Sequence, residues 1–67
     1  MTARAHILSL LHRAGREGIG EVDIWDVQQA ARGLTVILNN GQCVPCICSF
    51  GTARQVLHLW AVQEQER

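Results

Sequence analysis

The stretch DVQQAARGLTVILNNG, from Asp26 to Gly41, decides how the chain is read, because its residues sort onto two faces. Projected at about 3.6 residues per turn, Val27, Ala30, Ala31, Leu34, Ile37 and Leu38 fall on one side. Gln28, Gln29, Arg32, Gly33, Thr35, Val36, Asn39 and Asn40 fall on the other, a face of amides, a hydroxyl and a guanidinium without a carboxylate. The spacing predicts a helix over Val27 to Asn39. Asp26 followed by Gln29 forms a capping-box-like start, and Gly41 after two asparagines is a stop signal. A rival reading takes LTVIL and QCVPCI as a hairpin across Asn39-Asn40-Gly41, an Asn-Gly turn signal.

Upstream, Thr2 caps a first helix over Ala3 to Ala14, with Ala3, Ile7, Leu10, Leu11 and Ala14 as its apolar stripe and Gly15 at its end. GREGIG follows as a flexible connection, and EVDIW fits either a short strand or a turn or two of helix. Downstream, QCVPCICSF is apolar and β-branched enough for a strand, which Pro45 confines to an edge or an irregular position. Ser49 to Ala53 reads as a turn. Gln55 to Val62 alternates as a strand and is paired here with QCVPCIC, although Ala53, Val56, Leu57, Trp60 and Ala61 also keep helical spacing behind Thr52. Gln63 to Arg67 is a polar tail, and residues 1–67 form a single domain.

The chain has 67 residues, six arginines against six carboxylates, and no lysine. A chain of this length buries only about 60% of its unfolded surface, so its core is marginal. Zero net charge argues against a strong nonspecific pull on nucleic acid, yet Gln28 to Gln63 holds no acid and only Arg32 and Arg54 as fixed charges. No apolar run reaches the length of a membrane span and no leader is evident, so a cytoplasmic protein is expected.

Cys43, Cys46 and Cys48 have thiolate spacing, with His58, His6 or His12 as conceivable fourth ligands. A strand points Cys43 away from the other two, so buried free thiols are expected and no metal. No catalytic grouping emerges: Asp23 with Asp26, and His12 with Ser9, do not make a reaction centre, and neither an enzyme nor a cofactor is expected.

The order of a first helix (ILSLLHRAG), an amphipathic helix running into a strand (ARGLTVILNNGQCV) and a return strand (ARQVLHLWAV) resembles the winged helix-turn-helix regulators, including small bacteriophage and mobile-element forms. The resemblance implies a small α+β domain of two or three helices followed by a β-hairpin wing. It implies a transcriptional regulator that binds duplex DNA, with Arg32 in the major groove and Arg54 at the wing tip. Gln28, Gln29, Thr35 and Asn39 complete the expected DNA-binding set, since amides pair with adenine, guanidinium with guanine, and the threonine methyl with the thymine methyl. A homodimer is expected, with Trp60, Leu57 or Trp25 at the contact. A second function class is a small phage-encoded inhibitor that binds a host protein through its exposed tryptophans.

Overall fold

A computed structural model describes residues 2–64. Helix α1 (Ala3–Arg13) leads through a single 3-10 turn (Glu21–Asp23) into strands β1 (Ile24–Ala30), β2 (Gly33–Leu38) and β3 (Cys43–Ile47), and helix α2 (Phe50–Glu64) closes the chain. The strands form one antiparallel sheet in the order β1-β2-β3. The α+β class is as expected. The element order is helix, sheet, helix, rather than helices followed by a hairpin.

The expected helix over Val27 to Asn39 is instead the hairpin β1-β2, and the reason lies in its buried residues. Val27, Leu34, Val36 and Leu38 are all buried, and the last three alternate with Thr35 and Ile37. Helical projection had left Val36 on the wet side, whereas it is fully buried at the centre of the core. The period is two, the β-branched residues Val27, Thr35, Val36 and Ile37 suit it, and Asn39-Asn40-Gly41 turns the chain into β3 as the rival reading has it. Gly41 takes φ 86°, and the Asn40 side chain accepts from the Gln42 amide at 2.8 Å.

Gly33 explains the other turn. It has φ 137°, and a Cβ there would lie 2.5 Å from the Cys46 carbonyl and 2.6 Å from the Cys48 amide. The Cys48 amide also donates to the Arg32 carbonyl at 3.2 Å, so the β1-β2 turn is fastened to the end of β3. A glycine that weakens a helix is here the residue that lets two backbones meet.

Gln55 to Val62 is helix, not strand. As a strand it would place His58 on the same face as Val56 and Trp60; α2 instead buries Ala53, Val56 and Trp60 along one stripe and leaves His58 exposed. Ser49, expected in a turn, starts this helix: its hydroxyl accepts from the Thr52 amide at 3.2 Å and its carbonyl from the Ala53 amide at 2.9 Å. Gln63 and Glu64, assigned to a polar tail, belong to the same helix; the rest of that tail lies outside the described residues. Helix α1 forms as expected, with the Thr2 hydroxyl accepting from the Ala5 amide.

Both helices cover one face of the sheet. Ala3, Ile7 and Leu11 of α1 and Ala53, Val56 and Trp60 of α2 pack on Ile24, Val27, Leu34, Val36, Leu38, Val44 and Cys46. The helices run antiparallel: Gln63 accepts from the Ala3 amide at 2.6 Å, and Arg4 pairs with both oxygens of Glu64 at 2.9 and 3.1 Å. Arg4 also donates to the carbonyls of Glu21 and Ile24 and lies 5.0 Å over the Trp60 ring.

Gly33→Ala is expected to destabilise the domain by about 2–4 kcal/mol, from an unfavourable backbone conformation plus the collision with β3. Gly18→Ala, with open space around it, serves as the control. Urea unfolding followed by tryptophan fluorescence and circular dichroism measures both.

Candidate interaction surfaces

The residues expected to read DNA do not share a face. Gln28 and Thr35 are cross-strand partners on the sheet surface turned away from the helices. Gln29 has the opposite parity, beside buried Leu34, and is exposed on edge strand β1. Arg32 sits in the β1-β2 turn and Asn39 at the opposite end of β2, where its amide donates to the Val22 carbonyl at 2.7 Å. Arg54 is on α2, its guanidinium 5.7 Å over the Phe50 ring. The continuous reading face therefore does not exist, because the element that was to carry it is a hairpin.

Alternation builds a different surface. The outer sheet face consists of three rows: Asp26, Ile37 and Cys43; Gln28, Thr35 and Pro45; and Ala30, Gly33 and Ile47. Asp26 is its only ionisable group other than the Cys43 thiol. Ile47 is 75% exposed on this face. At its rims stand Trp25, 66% exposed, and Phe50, 65% exposed. Trp25 is the extra residue of a bulge: Ile24 pairs with Leu38 and Asp26 with Ile37, so Trp25 has no opposite number. It lines a shallow cleft with Arg4, Val22 and Asn39. Exposed apolar side chains of this size mark a contact surface more often than chance. Sequence reading missed the face because it comes into being only when the Asn-Gly turn outranks the helical projection.

A second surface gathers charge. Arg13, in the last turn of α1, lines a cleft of about 340 Å³ with Leu10, Cys48, Ser49 and Thr52. Cys48 is bonded to the turn that carries Arg32, and Arg54 lies one turn into α2 from Ser49. Arg13, Arg32 and Arg54 thus converge on the same end of the molecule, while Glu21, Asp23, Asp26 and Glu64 lie at the other.

Of the tryptophans proposed as dimer contacts, Trp60 is 4% exposed and belongs to the core, where Arg4 covers it; Leu57 packs against the core as well. Trp25 alone is free to make such a contact. The three cysteines separate as strand alternation requires, but only Cys46 is buried as expected; Cys48 is half-buried and Cys43 is exposed on the outer face. Among the described residues no three histidines, cysteines or acids gather as a metal site. No helix among them is long and apolar enough to cross a membrane. No family model matches the chain, and no curated protein or solved structure matches it.

Burial, with the neighbouring Cys48 thiol, pushes the Cys46 thiol up to about 11, and burial raises Cys48 as well. The folded state then holds protons that the unfolded chain releases near pH 9, so this contribution to stability is complete below pH 9 and lost as pH rises towards about 11. Cys46→Val should flatten that alkaline decline, as read by urea midpoints across the range. Cys43 should react with a thiol reagent at neutral pH in the folded protein, and Cys46 only on unfolding.

Proposed function

We propose that this chain is a protein-interaction module whose outer sheet face closes on an apolar surface of a protein partner. The observation that supports this is the makeup of that face: Ile37, Pro45 and the exposed Ile47 form an apolar field with a single carboxylate and no cation. Burying one such isoleucine is worth about 1.5–3 kcal/mol, so a few residues suffice for a specific contact. A polyanion finds nothing to bind there. This is the class of the host-protein inhibitor, with the contact moved from the tryptophans to the outer sheet face beside Trp25.

The transcriptional-regulator reading depended on a recognition helix over Val27 to Asn39 and a wing closed by Gln55 to Val62, and the first of these is a hairpin and the second a helix. One observation favours a narrower nucleic-acid reading: Arg13, Arg32 and Arg54 share one end of the molecule, near the N-terminus of α2, which adds positive potential. Three cations on a chain of zero net charge give shallow, salt-sensitive phosphate contact rather than base reading.

The two readings separate by mutation. Ile37→Ser with Ile47→Ser should abolish retention of partner protein from cell extract without loss of fold, while Arg13→Ala, Arg32→Ala and Arg54→Ala together leave it intact. The reverse pattern, in which the arginine variant alone loses binding to short duplex DNA at low salt and the face variant still retains its partners, would replace the protein-binding reading.

A further inference from the structure

We propose that the occupant of the outer sheet face is a second copy of this chain, packed face to face with its strands antiparallel to those of the first. The proposal rests on the reading of this face as a protein-binding surface and names its partner.

Three observations carry it. The first is that both edges of the sheet are guarded, which leaves the face as the way to associate. Pro45 stands at the middle of edge strand β3 and has no amide to donate, and the Trp25 bulge interrupts edge strand β1. The second is charge. Asp26 lies at one end of β1, and Arg32 lies in the turn beyond its other end. A two-fold axis perpendicular to the strands reverses the rows, so the Asp26 end of each copy meets the Arg32 turn of the other, twice per dimer. An axis parallel to the strands keeps like ends together and matches neither charge. The third is shape. With the rows reversed, the exposed Ile47 of each copy lies over the smaller Cys43 of the other. With the rows kept, Ile37 is set directly against Ile37.

The size of the interface sets its strength. Three strands at about 4.8 Å spacing and about 17 Å long cover roughly 250 Å² per copy in projection. Even doubled for the relief of the side chains, the two faces together bury no more than about 1,000 Å², the low end for a specific interface, so a weak dimer populated only at high protein concentration is expected.

Sedimentation equilibrium from low to several hundred micromolar tests this. Wild-type chain should pass from one to two copies across that range. Asp26→Arg or Arg32→Asp alone should weaken association by about ten-fold, since each turns two attractive pairs into repulsive ones, and the double exchange should restore most of it. Circular dichroism checks that each variant is folded. A wild-type chain that stays single throughout, while Ile37→Ser with Ile47→Ser still loses a partner from extract, overturns the second copy and leaves the face a binding surface. A single chain whose face variant loses nothing overturns both. Dimerisation with no recovery in the double exchange overturns the antiparallel arrangement.

Discussion

A three-stranded sheet has two faces, and this chain has helices for only one of them. Everything else follows from that shortage. Two helices of 11 and 15 residues bury the side of the sheet carrying Ile24, Val27, Leu34, Val36, Leu38, Val44 and Cys46, and no described element remains to cover the other. Antiparallel sheets tolerate a wet face when its residues are polar. Here the wet face carries Ile37, Pro45 and Ile47 instead, which is why it reads as a contact surface rather than as a solvated one.

The covered side is held by few but concentrated interactions. Arg4 joins the first helix to the last through Glu64, to the entry of the sheet through the carbonyls of Glu21 and Ile24, and to the core through the Trp60 ring. The ion pair is only partly exposed and is bidentate, so solvent screens it less than a single surface contact. At the opposite end, Gly33 lets the β1-β2 turn lie against β3, and the Cys48 amide fastens it there. One arginine and one glycine thus fix the two ends of a domain too small to be held by its core alone.

How much of this was legible depends on which residues carried the signal. The first helix was, because Thr2, the stripe of Ile7 and Leu11, and Gly15 all agree. The third strand was, because Val44, Cys46 and Ile47 suit nothing else, and Pro45 marks an edge. The middle failed because Val27, Leu34 and Leu38 fit a period of 3.6 as well as a period of two; the two periods disagree at Val36, which is buried, and at Ala30 and Ile37, which the sheet turns to its outer face. Gly33 is the second discriminator, since a glycine weakens the middle of a helix while its positive φ here is the requirement of a turn. The last segment failed for the mirror reason: Val56, Leu57 and Trp60 satisfy both periods, and His58 decides only once one asks what a strand would bury. The expected DNA-reading set followed the helix, so it dispersed when the helix did. Arg32 and Arg54 were nevertheless brought to one end, for a reason no projection contained, the bond between Cys48 and the turn.

Most of the charges on the described residues are also sorted. Glu21, Asp23, Asp26 and Glu64 lie at the end where the first helix begins, and Arg13, Arg32 and Arg54 at the end where it stops. Arg4, which is consumed by Glu64, departs from this pattern, as do Arg16 and Glu17 in the loop after α1. A neutral molecule with separated ends attracts a polyanion weakly, because whatever its basic end gains its acidic end returns as the ligand lengthens. Between two copies the same separation acts differently. Antiparallel approach brings unlike ends together over a range of several ångströms, and parallel approach opposes like ends, so the field orients the encounter before the apolar rows touch. The arrangement that weakens the nucleic-acid reading is therefore the one that selects a direction for a face whose apolar residues, by themselves, would bind without regard to orientation.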